Sequence, residues 1–184
     1  KAFEVEEVIV LTDDTVFDFK VLPNRAHDSL GHHGLAYELC SCFGFTFKKD
    51  ERNKILENED KQIEMVKVSI ADEKACTRFM SMRINGVTVG ESPEWMKKRL
   101  EAIGQRSINN IVDATNYVQF ALNKPMHAYD ARSIKGTLSA RFARAGESLT
   151  TLDEKSLTLD EQTLVIADDE KVLGLAGIKG GKFS

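Results

Sequence analysis

Apolar and polar residues alternate in several short segments in the first half of the chain. In 15–22 (TVFDFKVL), phenylalanine and valine alternate with aspartate and lysine, which is the pattern of a half-buried strand. Pro23 ends this segment, since proline cannot donate to a central ladder. The same alternation predicts two further strands, at 63–71 and near 77–84.

Apolar residues at helical spacing predict three helices between and after these strands. The first is expected to begin with a cap at Asp28 or Ser29 and to end at Gly44. The second begins at Ser92, which is predicted to be its N-cap because a proline and a glutamate follow it. The third is predicted to cover 108–122.

The remainder of the chain is predicted to form short strands. This order of elements favours an α+β fold with an antiparallel sheet or a small barrel. We expect 15–22 and 63–71 to join the later strands around one apolar interior, so 1–184 is predicted to be one domain. The later strands are predicted at 137–143, 148–152, 156–159, 163–168 and 172–178.

The composition excludes several classes of protein. Hydrophobic residues make up 42% and charged residues 29%, which is typical of a soluble globular protein. The net charge of −4 argues against nucleic-acid binding by bulk positive charge, although contact with one RNA end remains open. Residues 48–62 mix basic and acidic side chains, which predicts a charged, solvated connector; a functional charge patch is the alternative. No apolar run approaches the ~20 residues needed to span a bilayer.

The cysteines give little sign of a disulfide or a metal. Cys40, Cys42 and Cys76 are an odd number without framework spacing, so a secreted disulfide fold is not expected and the cytoplasm is the expected location. His32 and His33 lie near the first two, but Cys40 and Cys42 point to different sides of a helix. Structural thiols are therefore the prediction, and no metal ligand is assigned.

Four regions carry candidate chemistry, and each also has a purely structural interpretation. Segments 23–25, 106–117 and 125–130 are rich in polar side chains, and the last contains His127 on a predicted loop. A lone histidine is nevertheless more often structural. The glycine-rich run 174–181 either lets backbone N–H groups approach a ligand or forms a tight turn between strands.

The polar positions of the third helix follow a spacing that places them together. Asn109, Asp113 and Asn116 are four and three residues apart, so they share one face. Such a face can be solvated, but asparagine and threonine are poor helix formers, and an exposed face favours lysine and glutamate. Ligand binding and simple solvation both remain open from this spacing.

The stretch RSINNIVDATNYVQFALNKPMHAYD, residues 106–130, resembles a hallmark of the beta subunit of bacterial phenylalanyl-tRNA synthetase. The family pattern there runs close to R-x-I-N-N-V-V-D-V-T-N-Y-V-x-x-E-x-G-Q-P-M-H-A-F-D. The resemblance covers nearly the whole chain outside 1–14 and 48–62. Further segments agree in order: PNRAHDSLGHHGLAYEL at 23–39, SPEWMKKRLEAIG at 92–104, RFARAGESLTTLD at 141–153, TLVIAD at 163–168 and GLAGIKGG at 174–181.

The resemblance implies a mixed domain with a Greek-key, barrel-like sheet and flanking helices. The implied task is post-transfer editing, the hydrolysis of tyrosine mistakenly esterified to phenylalanine tRNA. A pocket for phenylalanine cannot strongly reject an isostere that only adds a hydroxyl, so a second site must remove the error. The alternative is a non-catalytic module of the same ancestry that binds tRNA or a partner.

The resemblance also implies roles for individual residues, which are expected to line one cleft. His127 corresponds to a pocket histidine that acts as a base toward water or positions the substrate. The family's carboxylate for the tyrosine hydroxyl lies beyond Ser184, so the isolated piece is expected to be inactive. Lys182 and Phe183 follow the glycine pair where the family commonly has an acid or amide. The other implied residues of the editing pocket are Arg106, Thr115, Asn116, Pro125 and Gly180.

Partners and cofactors follow from the same resemblance. The implied partners are the aminoacylated 3′ end of phenylalanine tRNA and an alpha subunit in an α2β2 heterotetramer, with no membrane. No cofactor is expected in this segment, whereas ATP and Mg²⁺ are implied for the full enzyme. Since the chain begins with Lys1 and ends at Ser184 after a glycine run, it is expected to be a piece of a longer protein.

Overall fold

The computed structural model describes residues 3–48 and 66–182. The chain divides into two compact units that each combine two stretches of sequence. We call the first, with described residues 3–48 and 88–126, the helical unit, and the second, with 66–87 and 127–182, the sheet unit. The assignment of 1–184 to one editing-type domain stays a prediction, and the connector predicted at 48–62 lies outside the described residues apart from Lys48.

The helical unit begins with a two-stranded antiparallel hairpin of β1 (Phe3–Val10) and β2 (Thr15–Val21). The sequence predicts β2 correctly as a strand, but the expectation that it joins the later strands is wrong, because β1 is its partner. β1 itself is not predicted. A register shift between Val5 and Glu7 interrupts its alternation, so the period-two signal is lost.

Four helices complete the described part of this unit. They are α1 (Ala26–Ser29, after a 3₁₀ turn at Pro23–Arg25), α2 (His32–Phe43), α3 (Glu94–Ala102) and α4 (Asn110–Leu122). As predicted, α2 ends at Gly44, which takes the left-handed conformation with φ of 70°. Asn109 caps α4, accepting hydrogen bonds from the backbone N–H groups of Ile111 and Val112 at 3.0 Å.

The prediction that Ser92 caps α3 is wrong. Pro93 occupies the N-cap position and makes no side-chain cap hydrogen bond. The Ser92 hydroxyl instead donates a hydrogen bond to Asp113 of α4. α4 packs against α2 and α3, and Arg99 of α3 donates to the Tyr117 hydroxyl at 2.7 Å.

The sheet unit contains a five-stranded sheet and a hairpin. The sheet order is β3-β4-β7-β8-β9, in which β3 runs parallel to β4 and the other pairs are antiparallel. β5 and β6 form the hairpin, and Thr151 after β5 bridges to Gly181 after β9. The strands are β3 (Val68–Ile70), β4 (Leu138–Phe142), β5 (Ser148–Thr150), β6 (Ser156–Thr158), β7 (Leu164–Ala167), β8 (Val172–Leu175) and β9 (Lys179–Gly180).

The predicted α+β class is confirmed, as is the pairing of the 63–71 segment with the later strands. The described strands approach a barrel through the 151–181 bridge without closing one. The strand predicted near 77–84 is wrong, since no ladder forms there within the described residues. Its alternation is real, but Met80, Met82 and Ile84 are 70–72% exposed, and none of the strands in 3–48 or 66–182 pairs with this segment.

One apolar cluster fills the sheet unit. Leu157 and Leu175 pack against it from its margin, so most of the later strands contribute to a shared interior. The members of this core are Ala143, Leu149, Leu159, Val165, Ala167 and Val172. None of the helices among the described residues has the length and apolar character needed to cross a membrane.

Candidate functional site

His127 and Gly180 lie against each other in the sheet unit. Gly180 is in the short strand β9, where it pairs with Gly174 of β8, and His127 lies between α4 and β4. A Cβ atom built on Gly180 would fall on the imidazole, 2.9 Å from Nε2 and 3.1 Å from Nδ1. Glycine is therefore the residue that allows the ring to contact the strand backbone.

The glycine-rich run forms the hairpin between β8 and β9. Gly177 turns the chain with φ of 69°, and a Cβ on Gly174 would lie 2.9 Å from the carbonyl oxygen of Lys179. The interpretation as a tight turn between strands thus describes this run correctly. Gly180 adds a second feature to the turn, because its bare backbone faces an ionisable side chain.

Tyr129 also contacts the imidazole. The two rings meet edge to face, with centroids 4.6 Å apart and an interplanar angle of 67°. Partial burial lowers the pKa of His127 below its ordinary 6.5, so the ring is mostly neutral at pH 7. Burial raises the pKa of Tyr129 above 10, so its phenol is protonated. A neutral imidazole can accept a proton or orient a water molecule.

The remaining predicted site residues belong to the helical unit. Arg106 is exposed on the loop between α3 and α4, and Pro125 is exposed after α4. Thr115 and Asn116 are half-buried on α4, where the Thr115 hydroxyl donates to the Val112 carbonyl at 2.7 Å. The structure thus brings His127 and Gly180 together, and a cleft shared by all six residues stays a prediction.

The polar face predicted for α4 is partly structural. Asn109 is the N-cap, and Asp113 is fully buried, accepting hydrogen bonds from Ser92, Ser107 and the Ile108 N–H. Burial alone would raise the pKa of Asp113, but these hydrogen bonds lower it below 3.8, so the carboxylate is ionised. The interpretation of this face as simply solvated is therefore wrong at Asp113.

The 23–25 segment also has a structural role. Arg25 donates to Asp28 at 2.8 Å and to Glu38 at 2.9 Å, which ties α1 to α2 and holds the pKa of both carboxyl groups below their ordinary range. A cavity of about 430 Å³ lies beside Arg25, with His33 and Tyr37 in its wall. No predicted editing-pocket residue lines this cavity.

Sequence reasoning did not name Tyr129 as part of the site. The available signal was its position in the 125–130 segment, where the family pattern has phenylalanine and this chain has tyrosine. Within the part of the chain that the structure describes, no group of three or more His, Cys, Asp or Glu side chains could hold a metal ion. Cys40, Cys42 and Cys76 are free thiols.

Comparison with known proteins places these observations in a family. A family model described as "B3/4 domain" matches residues 75–184. The phenylalanine–tRNA ligase beta subunit of Fusobacterium nucleatum subsp. nucleatum is 42% identical over 170 residues, which cover 92% of this chain and 21% of that protein. The beta subunit of Neisseria meningitidis serogroup A is 42% identical over 173 residues, covering 94% of this chain and 22% of that protein.

A solved structure is also similar. An N-terminal fragment of the phenylalanyl-tRNA synthetase beta subunit from Pyrococcus horikoshii matches 99% of this chain and 55% of its own, with a TM-score of 0.47 and 16% identity. The chain spans about a fifth of the length of the curated relatives it matches. The predicted resemblance to these beta subunits is confirmed, and since the family model covers more than half of the residues, the chain belongs to the B3/4 domain family.

Proposed function

We propose that this chain is the editing part of a phenylalanine–tRNA ligase beta subunit, and that it hydrolyses tyrosine esterified to phenylalanine tRNA. The contact between His127 and the bare backbone of Gly180 carries this proposal. It holds a mostly neutral imidazole beside a strand that has no side chain at that position. The relatives named as phenylalanine–tRNA ligase beta subunits support the same assignment.

The proposed reaction is ester hydrolysis. A water oxygen bonds to the carbonyl carbon of the tyrosyl ester, and the bond from that carbon to the ribose oxygen breaks. Neutral His127 accepts a proton from the attacking water and returns it to the leaving ribose oxygen, or it orients the water while a vicinal ribose hydroxyl shares the proton transfer. Tyrosine and free tRNA are the products in either case.

Synthesis of aminoacyl-tRNA belongs elsewhere in this proposal. ATP and Mg²⁺ would act in the full enzyme, in complex with an alpha subunit. Arg106, Thr115, Asn116 and Pro125 are proposed to complete the editing pocket with His127 and Gly180. Their joint placement around the aminoacylated 3′ end of the tRNA is part of the proposal.

The test is deacylation of tyrosyl-tRNA(Phe) by the full-length complex carrying His127→Ala. A general base contributes ~10²- to 10⁴-fold, whereas loss of positioning alone costs roughly 10-fold. Phenylalanine charging should be nearly intact, because synthesis does not use this histidine. His27→Ala is the matched control, since the His27 side chain is 76% exposed on α1.

Unchanged tyrosine clearance by the His127→Ala complex would return the histidine to a structural role and favour the non-catalytic binding module. Gly180→Ala supplies an independent check, because the added methyl group must displace the ring. It should slow deacylation in the same direction as His127→Ala. Brisk, tyrosine-selective deacylation by the isolated 184 residues would show that the discriminating group lies within them.

A further inference from the structure

Arg106 lies exposed on the loop that connects α3 to α4. Among the described residues it has no ion pair and no hydrogen-bond partner. A long, unpaired arginine side chain samples many rotamers, so the backbone on either side decides where its guanidinium can reach. The groups that hold this loop therefore determine what Arg106 can bind.

The loop is anchored directly on both sides of Arg106. Before it, the Gln105 N–H donates to the Leu100 carbonyl of α3 at 2.9 Å. After it, the Ser107 hydroxyl donates to Asp113 Oδ2 at 2.6 Å, and the Ile108 N–H donates to Oδ1 at 2.9 Å. Two of the three hydrogen bonds that Asp113 accepts thus come from the residues that follow Arg106.

Asp113 is an unusual residue for the interior position that it occupies. Its relative exposure is 0%, and burying a carboxylate is costly unless hydrogen bonds satisfy it. It lies in the first turn of α4, where the helix dipole favours a negative charge. The third hydrogen bond, from Ser92, connects the same carboxylate to the start of α3. A fully satisfied buried group of this kind specifies one backbone conformation.

We infer that Asp113 is a positioning residue that fixes the 105–109 loop so that Arg106 is presented to the aminoacylated tRNA end. The inference rests on the proposed function, which makes Arg106 part of the editing pocket. It adds a residue that does not touch the substrate and acts through the arginine. The observation behind it is the pair of hydrogen bonds from Ser107 and Ile108 to one buried carboxylate.

A double-mutant cycle in the full-length complex tests the coupling. Arg106→Ala should raise KM for tyrosyl-tRNA(Phe) by about 10- to 100-fold, the factor expected for losing a charge-assisted hydrogen bond. Asp113→Asn keeps the shape but loses acceptor capacity, and we expect it to raise KM by about 10-fold with little change in kcat. The double variant should match Arg106→Ala within about twofold, since there is then no arginine to position.

Asp168→Asn is the matched control. Asp168 is 5% exposed and accepts three backbone hydrogen bonds, from Lys135, Glu170 and Lys171. It lies in the sheet unit, and none of the residues that donate to it is adjacent to a candidate site residue in the sequence. Its effect on KM should be small and should add to that of Arg106→Ala. Ser107→Ala removes one hydrogen bond beside the arginine and serves if Asp113→Asn fails to fold.

Two results would overturn the inference. The first is that the effect of Asp113→Asn on KM, or that of Ser107→Ala in its place, is fully additive with the effect of Arg106→Ala. Full additivity is the behaviour of a merely structural residue. The second is that Arg106→Ala leaves KM unchanged, because there would be nothing to position. The proposed function is judged separately by His127→Ala, so the two failures are distinguishable.

Discussion

The two units bury different kinds of side chain. In the sheet unit the interior is apolar, with Val165 and Ala167 at 0% exposure and Leu173 at 1%. In the described residues of the helical unit, Leu100 is the deeply buried apolar side chain, and it is joined by polar residues such as Ser92 and Asp113. The sheet unit therefore depends on buried apolar area, and the helical unit depends on satisfied hydrogen bonds and close backbone contacts.

This difference bears on how each unit can support a site. His127 contacts β9, which pairs with β8, and β8 contributes Val172 to the apolar core, so Gly180 has little freedom to move away. Arg106 lies on a loop whose conformation depends on one carboxylate. Substitutions that remove methylene groups should therefore act most strongly in the sheet unit. Substitutions that disturb polar or glycine contacts should act most strongly in the helical unit.

The largest expected effect is at a buried apolar side chain of the sheet unit. Leu173→Ala should lower the free energy of unfolding by about 3 kcal/mol, because it removes buried methyl groups and leaves a cavity. Urea titration followed by far-ultraviolet circular dichroism measures the change. Ile178→Ala is the control, since Ile178 is 80% exposed and its truncation should stay within about 0.5 kcal/mol. Equal effects of the two variants would contradict an apolar origin of stability here.

A glycine substitution tests the helical unit. A Cβ on Gly34 would collide with the Asp28 carbonyl oxygen and lie 2.7 Å from its carbonyl carbon, so Gly34→Ala must separate α1 from α2. We expect a loss of about 2 kcal/mol. Trp95, the single tryptophan, is on α3 and reports unfolding of this unit by fluorescence. Gly90→Ala has open space and should be neutral; a loss there as large as at Gly34 would contradict the close-contact explanation.

Sequence patterns predicted the sheet unit better than the helical unit. The alternation in β4 and β7 survives because each of these strands buries one face. Alternation alone does not name a partner, which is why β2 was assigned to the wrong sheet and 77–84 was predicted as a strand without a ladder. Strand pairing depends on a partner segment that is far away in the chain. The pattern within one segment carries no information about that partner.

The candidate site shows the same limit. Spacing places Asn109, Asp113 and Asn116 on one helix face. It does not distinguish a ligand-binding face from a buried carboxylate that holds a loop, because the burial of Asp113 depends on its hydrogen bonds from Ser92 and Ser107. His127 and Gly180 were named through the family resemblance. Their direct contact, and the packing of Tyr129 on the same ring, follow from the path of the chain after α4, which no local pattern predicts.

An intermediate effect is expected at a largely buried charged pair of the sheet unit. Arg141 donates to both carboxylate oxygens of Glu147, at 2.8 and 2.7 Å, and the Arg144 N–H adds a third hydrogen bond. These contacts lower the pKa of Glu147 from 4.5 to about 2. Glu147→Gln should cost about 1–2 kcal/mol at pH 7, because it leaves Arg141 partly buried without its charged partner.

The pH dependence gives the sign of this contribution. Because the folded state holds the Glu147 proton less tightly than the unfolded state, its stabilisation is complete above pH 4.5 and is lost as the pH falls toward 2. The difference between wild type and Glu147→Gln should therefore shrink between pH 5 and pH 3 in urea titrations. A difference that stays constant over this range would show that packing, not charge, is responsible.

The smallest effect is expected at Tyr129. Substituting this residue tests whether apolar packing, as in the core, also supports the candidate site. The ring packs edge to face on His127, and in the described part of the chain the hydroxyl makes no hydrogen bond. Tyr129→Phe should therefore change the free energy of unfolding by less than about 0.5 kcal/mol. Deacylation of tyrosyl-tRNA(Phe) by the full-length complex should change by less than about twofold, since the ring still fixes the imidazole. Tyr129→Ala removes that edge-to-face contact, worth about 0.5–1.5 kcal/mol beyond the buried area, and should slow deacylation clearly. A strong loss in Tyr129→Phe would instead give the hydroxyl a direct role, and the site would then resemble the helical unit in depending on a polar group.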